Sequence, residues 1–282
     1  MSRIAYQGTR GAYSHLACSK VRPEWEAIAC EDFQTAMRMV EQGDADLAMI
    51  PVENSTAGRV EEIYRLLPKM DLQIVAEHFE AVNHCLMALP GTELDDLQTV
   101  TSHPQALAQC LGNTEKLGLK PIAAVDTAIA AENLVVHQHT KQAAIASSLA
   151  AKLYGLNILK ENFQDVSGNT TRFIVLAKHA ELPEFESSER YLTSVLFSVR
   201  NIPASLYKAL GGFATNGINL IKLESYMDGG TMAASHFHID IDGHPDQPAM
   251  KNALEELTFF ASKVRSIGTY KAHEFRRRQA FV

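Results

Sequence analysis

Asn169-Thr170-Thr171-Arg172-Phe173 sets an amide, two hydroxyls and a guanidinium side by side, next to an apolar run. Three earlier segments offer groups of the same kind: Gly8-Thr9-Arg10-Gly11-Ala12-Tyr13-Ser14-His15, Ile50-Pro51-Val52-Glu53-Asn54-Ser55 and Ser102-His103-Pro104-Gln105. Each borders a strand-like apolar stretch. Together they supply hydroxyls, amides, one carboxylate (Glu53) and two guanidiniums (Arg10 and Arg172), with no Cys-rich cluster. Such a set does chemistry by hydrogen bonding and charge placement, without a thiolate or an obvious metal.

Each segment also has a plainer reading. Gly8 and Gly11 follow a first strand and precede a helix, so a tight turn there can aim backbone N–H groups at an anion, with Ser14 adding a hydroxyl and Arg10 a charge. A simple strand-to-helix turn uses the same glycines. Glu53, Asn54 and Ser55 end a buried-type strand, where side chains emerge into the cleft of an open α/β sheet. Asn54 and Ser55 can donate to carboxylate or hydroxyl oxygens, and Glu53 can orient them or act as a protonated acid. Ser102 can cap a helix that has Pro104 in its first turn; His103 is then a capping-region residue or a general base. Thr171 and Arg172 can simply enter a strand as solvent-facing β formers.

Elements that would position these groups are legible around them. Arg3 to Gln7 reads as a strand, Ser14 to Lys20 as a helix, Phe33 to Glu41 as an amphipathic helix closed by Gly43, and Leu47 to Val52 as a strand covered on both faces. This β-α-β order implies a largely parallel sheet. A second set begins near Val75, with strands at Thr99 to Thr101, Pro121 to Val125, Ala143 to Ala146 and Arg172 to Leu176, and helices at Ala106 to Leu117 and Thr127 to His137. Two α/β lobes sharing a cleft fit the pattern. After a polar, acidic stretch from Pro183 to Glu189 the order becomes βαββαβ: strands Tyr191 to Val199, Ile218 to Tyr226, Met232 to Ile241 and Val264 to Tyr270, with helices Ala204 to Asn216 and Pro248 to Ser262. That is a ferredoxin-like unit.

With 282 residues, 46% hydrophobic and 21% charged, the chain has ordinary globular composition. A formal charge of -7 argues against a nucleic-acid binder, which needs Lys and Arg to neutralise phosphates. No run approaches the roughly 20 apolar residues of a membrane helix, and the first residues lack a signal-peptide core. These features predict a cytoplasmic protein with no membrane partner. Cys18, Cys30, Cys85 and Cys110 are widely spaced and read as small buried residues. His236, His238, Asp240, Asp242 and His244 alternate with Phe237, Ile239 and Ile241, so they share one strand face. Neighbours on such a face lie about 7 Å apart, which suits the polar face of a half-buried sheet better than a shared metal.

In their order the four polar segments resemble prephenate dehydratase, and the region after them resembles the regulatory ACT domain of that family, so the likeness covers nearly the whole chain. It implies an α/β protein with a two-lobed, periplasmic-binding-protein-like catalytic region at 1–180 (second lobe about 79–160), a linker at 181–190, a ferredoxin-like βαββαβ ACT domain at 191–272 and a tail at 273–282. The implied reaction converts prephenate to phenylpyruvate, carbon dioxide and water, with no cofactor and no metal. The implied catalytic residues are Thr171, as hydrogen-bond donor to the leaving hydroxyl, Arg172, as fixed positive charge, and Glu53. Gly8, Gly11, Ser14, Asn54, Ser55, Ser102, Gln109, Thr170 and Phe173 are the implied substrate contacts, with Gln109 facing Ser102. Arogenate dehydratase is the alternative among enzymes, and a non-catalytic amino-acid sensor the alternative outside them; the intact Thr171-Arg172-Phe173 favours an enzyme.

For the ACT region the resemblance implies L-phenylalanine as effector at a subunit interface of a homodimer or homotetramer, held by Ala204, Ser205, Leu206, Asn219, Leu220, Glu224 and Ser225. Two departures stand out. The family's Gly-Ala-Leu reads Ala204-Ser205-Leu206, and its Glu-Ser-Arg-Pro reads Glu224-Ser225-Tyr226-Met227. Arg276-Arg277-Arg278 reads as a solvated tail, and a chain ending near Glu184 is expected to stay active while losing its response to phenylalanine.

Overall fold

The computed structural model describes residues 1–200, 202–227 and 236–278. No helix among them is long and apolar enough to cross a membrane. The chain opens with β1 (Arg3–Gln7), α1 (Tyr13–Val21), β2 (Glu26–Cys30), α2 (Phe33–Gln42), β3 (Leu47–Asn54), β4 (Gly58–Arg59), α3 (Glu61–Leu66) and β5 (Gln73–Ala81). Next come β6 (Cys85–Ala88), β7 (Thr99–Ser102), α4 (Pro104–Gln109), α5 (Leu111–Lys116), β8 (Lys120–Ala123), α6 (Thr127–Val136), β9 (Gln142–Ala146), α7 (Ser148–Tyr154), β10 (Asn157–Lys160) and β11 (Thr170–Ala177). The last third holds β12 (Tyr191–Val199), α8 (Ser205–Thr215), β13 (Leu220–Tyr226), β14 (His236–Asp242), α9 (Pro248–Phe260), β15 (Ala261–Lys271) and α10 (Glu274–Arg278).

Internal contacts divide the chain into two compact units. One comprises Met1–Ala36, Ala48–Arg59 and Phe79–Phe173; the other comprises Met37–Leu47, Val60–His78 and Ile174–Val282. The first sheet has the order β2-β1-β3-β11-β5, with β4 antiparallel to β3. The parallel pair of β1 and β2 is what the β-α-β pattern predicts. A second sheet, ordered β10-β6-β9-β7-β8, lies wholly in the first unit. Its central strands explain the unbroken apolar run at Ala143 to Ala146. Ala144 and Ala146 pack with Ala128, Ala131 and Ala150 of α6 and α7, while Ala143 and Ile145 pack with Ala106 and Cys110 on the other side.

Two local expectations are corrected here. The single helix expected at Ala106 to Leu117 is split at Cys110, because the carboxylate of Asp165 accepts from the backbone N–H groups of Gly112 and Asn113, both at 2.8 Å, and so caps a separate α5. A cap contributed from that far along the chain leaves no trace in local periodicity. The cap of α4 is His103, whose Nδ1 accepts from Gln105 N–H at 3.2 Å. Ser102 does not serve as the cap: it is fully buried, and its hydroxyl donates to the carbonyl of Ile145 at 2.5 Å.

In the second unit an antiparallel sheet ordered β13-β14-β12-β15 has α8 and α9 on one face. Val195, Phe197, Phe237, Ile239 and Ile241 meet Ala209, Phe213, Met250, Ala253 and Leu257 there. The part of the expected strand at 232–235 lies outside the described residues, as does the tail from 279. The His/Asp stripe faces away from this core, yet His238, Asp240 and His244 are buried rather than half-exposed. Within the stripe His238 Nε2 lies 3.3 Å from Asp240 Oδ1, and the other contacts run outside it. His236 meets Ser198 Oγ at 2.7 Å, Asp240 accepts from Ser194 Oγ at 2.6 Å, Asp242 pairs with Arg190 at 2.6 Å, and His244 Nε2 lies 2.8 Å from the Pro183 carbonyl. No group of side chains among the described residues could hold a metal ion.

Within the same unit the 60–78 segment is locked to the β-sheet. Arg265 donates to the carbonyls of Met70, Leu67 and Pro68 at 3.0 to 3.2 Å. A Cβ at Gly268 would collide with the carbonyl of Ile74, so only glycine allows β15 to approach so closely. Arg276, expected in a solvated tail, instead forms a two-armed pair with Glu77 at 2.7 and 2.9 Å, and the Glu77 side chain is 0% exposed. The stretch expected as a linker is also pinned, by Tyr191 OH donating to the Glu184 carbonyl at 2.8 Å and Lys271 pairing with Glu186 at 2.9 Å.

Candidate active site

All the expected catalytic and substrate-contacting residues fall in the first unit. Asn54 ends β3 and Thr170 begins β11, and Ser55 ties the two ends together. Its N–H donates to the Thr170 carbonyl, and its hydroxyl accepts from Thr170 N–H, both at 2.9 Å. Asn54 itself is fixed by its own turn: its Oδ1 accepts from the N–H groups of Thr56 and Ala57 at 2.9 and 2.8 Å. This orientation has chemical consequences, because it turns the amide Nδ2 toward Asn169 Oδ1 at 2.7 Å and Thr171 Oγ1 at 2.9 Å.

From Asn54 a relay of defined polarity runs through the site. Asn169 accepts from Asn54, so its Nδ2 donates to Gln109 Oε1 at 3.2 Å. Gln109 Oε1 can then only accept, so His84 Nε2, 2.8 Å away, must carry a proton. Burial pushes the His84 pKa below its ordinary value, with the Gln109 bond opposing that shift. The ring is therefore neutral and Nδ1 is an acceptor, 2.9 Å from Tyr13 OH. Burial drives the Tyr13 phenol upward in pKa, so it keeps its proton, shared between His84 and the Asn83 carbonyl at 2.9 Å. Two backbone N–H groups thus set a histidine tautomer through three side-chain amides.

The other end of the relay is Thr171. Its Oγ accepts from Asn54, and no other partner is found for it among the described residues, so its own O–H remains a donor. Next to it, Arg172 is 3% exposed and donates to Glu53 Oε1 at 2.9 Å; the Glu53 side chain is 37% exposed.

The glycine turn behaves differently from the expectation that its amides face an anion. Gly8 N–H donates to the Cys30 carbonyl at 3.0 Å, Gly11 N–H to His15 Nδ1 at 3.0 Å, and Ala12 N–H to the Thr9 carbonyl at 3.1 Å. Both glycines have positive φ, +118° and +92°, and a Cβ on Gly11 would sit 3.0 Å from the Cα of Ala150. The turn therefore docks on α6 and α7. Ser147 Oγ donates to the Gly11 carbonyl at 2.6 Å, Thr9 Oγ1 to Asp126 at 3.1 Å, and Tyr154 OH to the Arg10 carbonyl at 3.0 Å. Ser14 lies in the first turn of α1, whose N-cap Ala12 supplies no side-chain bond.

Ser102 and Phe173 are not brought into the relay. Phe173 is 1% exposed and belongs to the core, and Gln109 bonds His84 and Asn169 rather than facing Ser102. Sequence reasoning did not select His84, Tyr13, Asn83 or Asn169 as site residues, although Tyr13 and Asn169 stand inside two of the polar segments. His84 carries no local signal except a polar Asn-His pair opening a strand. The four cysteines are free and buried, and burial pushes the thiols of Cys18 and Cys110 up to about 12, which leaves no nucleophile there.

In the second unit, Ala204 begins α8 with φ 59° and ψ 24°, a left-handed conformation in which glycine would be at ease. Leu206 and Leu220 pack against the helix-covered core, the Asn219 carbonyl accepts from Asp242 N–H at 2.9 Å, and Glu224 lies opposite His238 while exposed Ser225 lies opposite Phe237.

Comparison with known proteins gives the family of the chain. The family model described as prephenate dehydratase matches residues 4–181. A protein of Komagataeibacter europaeus named bifunctional N-acyl-homoserine lactone acylase/prephenate dehydratase is 46% identical over 98% of both chains. The chloroplastic arogenate dehydratase/prephenate dehydratase 2 of Arabidopsis thaliana is 42% identical over 95% of this chain and 72% of its own length. Among solved structures, a prephenate dehydratase from Arthrobacter aurescens in complex with L-Phe superposes with a TM-score of 0.87 at 30% identity, covering 99% of this chain and 92% of that one.

Proposed function

The chain belongs to the prephenate dehydratase family and is a dehydratase, a carbon–oxygen lyase; from that premise we propose that it converts prephenate to phenylpyruvate and that Thr171 assists the leaving hydroxyl. The observation that carries this reading is the contact of 2.9 Å from Asn54 Nδ2 to Thr171 Oγ1. An amide N–H donated to the threonine oxygen occupies one lone pair and leaves the O–H directed at substrate. In the reaction the ring carboxylate departs as carbon dioxide and its bonding pair enters the ring. The carbon–oxygen bond across the ring breaks, the oxygen takes that pair, and one proton from solvent completes water.

Thr171 is too weak an acid for unassisted proton transfer, so its contribution is a hydrogen bond that strengthens as negative charge grows on the departing oxygen. Arg172 follows Thr171 in β11 and so points to the opposite face of that strand, where it is 3% exposed and donates to Glu53; we assign it a role in fixing the strand end that carries Thr171, with Glu53 orienting its guanidinium. For the side-chain carboxylate of the substrate, Ser14 and the open first turn of α1 are better suited than the N–H groups of Gly8 and Gly11, which are already bonded. Asn54, Ser55 and Thr170 act on the substrate through the β3–β11 junction they build.

Arogenate is the second reading, favoured by the plant relative whose name carries both activities. The ratio of kcat/KM for the two substrates, with phenylpyruvate read by its absorbance in alkali, decides it; arogenate ahead by about tenfold would replace prephenate as the natural substrate. The Komagataeibacter relative's name also carries an acylase activity; Thr171, whose hydroxyl is bonded to the Asn54 amide, is read here as a hydrogen-bond donor and not as a nucleophile for such a reaction. We also read residues 191–272 as an ACT domain through which phenylalanine inhibits a homodimer or homotetramer in the cytoplasm, and a phenylalanine titration of turnover tests the inhibition.

A further inference from the structure

A pocket of about 280 Å³ opens on the face of the second unit's β-sheet that α8 and α9 leave uncovered, and nothing in the proposed reaction uses it. Its walls carry four cationic side chains: Arg65, Lys69, Lys263 and Arg265. No carboxylate lines it among the described residues, which is a notable concentration of one sign in a chain of net charge -7. Arg265 is held by the three backbone carbonyls of the 67–70 turn, so its position is set by neutral partners that do not cancel its charge. Between the cations lies a ring platform. Tyr226 and His236 stack with centroids 5.5 Å apart and planes 27° from parallel, and Ser198 Oγ bonds the His236 ring at 2.7 Å. Tyr226 and Met227 stand where the family's motif has Arg-Pro, so a departure that breaks that motif builds this wall.

We propose that this pocket binds a small ring-bearing carboxylate that lacks an α-ammonium group, of the aryl 2-oxo acid class. The volume is at the lower end of the roughly 300–1,000 Å³ typical of small-molecule sites, which limits the occupant to a metabolite-sized molecule. The rings offer a stacking surface for one end and the guanidinium and ammonium groups receive the other. An amino acid fits worse than its 2-oxo counterpart, because its ammonium would enter a cationic field with no acidic side chain among the described wall residues to meet it. The site is separate from the residues assigned to phenylalanine, since Ala204, Ser205, Asn219 and Glu224 are not among its walls.

Titration calorimetry of the full-length chain with phenylpyruvate, 3-phenylpropionate and phenylalanine tests this, comparing wild type with Arg65→Glu/Lys263→Glu. Both substituted residues are exposed, so the variant is expected to fold, with an unchanged melting curve as the control. The expected result is that the double variant loses one binding site per chain for phenylpyruvate and for 3-phenylpropionate, by about tenfold or more in affinity, while phenylalanine binding is unchanged. An Arg172→Ala chain should keep that same site, which separates it from product binding at the catalytic centre. Unaltered isotherms in the double variant, or equal loss of phenylalanine and phenylpyruvate, would overturn the proposal. The readout needs no turnover, so its failure is distinct from failure of the dehydratase reading.

Discussion

The polar interiors of the two units are built on opposite plans. The relay from Thr171 to His84 consists of amides, a hydroxyl and a neutral imidazole, with each donor assigned by the one before it. Around the 60–78 segment the second unit relies on charge: Glu77, wholly buried, is held by Arg276, and Arg265 grips three carbonyls. Next to the relay the first unit keeps one ion pair, Arg172 with Glu53, while the relay itself orients Thr171 through neutral groups. An ion pair suits the holding of distant chain segments, because breaking it strands a buried charge.

Removing the arginine from the charged region should have the largest effect. Arg276→Met leaves Glu77 buried without its two-armed partner, and a loss of about 3–5 kcal/mol in denaturant unfolding is expected, largely restored in Arg276→Met/Glu77→Met. Cutting the chain near Glu184 removes Arg276 and Arg265 together. The active fragment expected from sequence is therefore replaced by an expectation of a strongly destabilised one, checked by its melting temperature against the full chain.

In the neutral region the effects should appear in rate rather than in folding. Thr171→Ala is expected to lower kcat by on the order of 10² with a native melting curve, the scale of one donor lost at developing charge. Asn54→Ala should lower kcat too, and the double variant should be scarcely worse than Thr171→Ala alone, since the two residues act as one unit. Additive losses in steady-state kinetics would separate them.

Acidity gives a smaller contrast. Burial lowers the pKa values of His15, His84 and His273 from 6.5, so each is neutral in the fold and takes its proton more readily when unfolded. Their contribution is present above about pH 6.5 and is lost as pH falls through the lowered values, so the melting temperature should decline between pH 7 and pH 5. His84→Gln should flatten that decline; an unchanged slope would take His84 out of it. The smallest expected effect is at the start of α8. Ala204→Gly relieves a left-handed alanine and should raise stability by about 0.5–1 kcal/mol, read as a rise of roughly 1–2 °C in melting temperature.

Where the sequence misled, the cause was a bonding partner that residue type and periodicity do not reveal, whether four residues away or far along the chain. Gly8 and Gly11 look like an anion cradle, yet His15 and the Cys30 carbonyl take their N–H groups and Ser147 takes the Gly11 carbonyl. Ser102 looks like a cap and is instead spent on Ile145. His84 carries no pattern at all, and it enters the site only because Gln109 and Tyr13 converge on it.

Periodicity and punctuation are properties of neighbours, and they were enough to reveal the α/β order, the βαββαβ second half and the polar segments at strand ends. The same local order placed Asn54 and Thr171 among the polar residues at strand ends, and the fold brings their side chains to 2.9 Å. Which lone pair of Thr171 is occupied, which nitrogen of His84 carries the proton and whether Arg276 meets water or Glu77 were decided by tertiary structure alone. Hydrogen bonds and ion pairs need atoms within about 3 Å of each other, and only the folded chain brings together residues separated by 117, 25 and 199 positions.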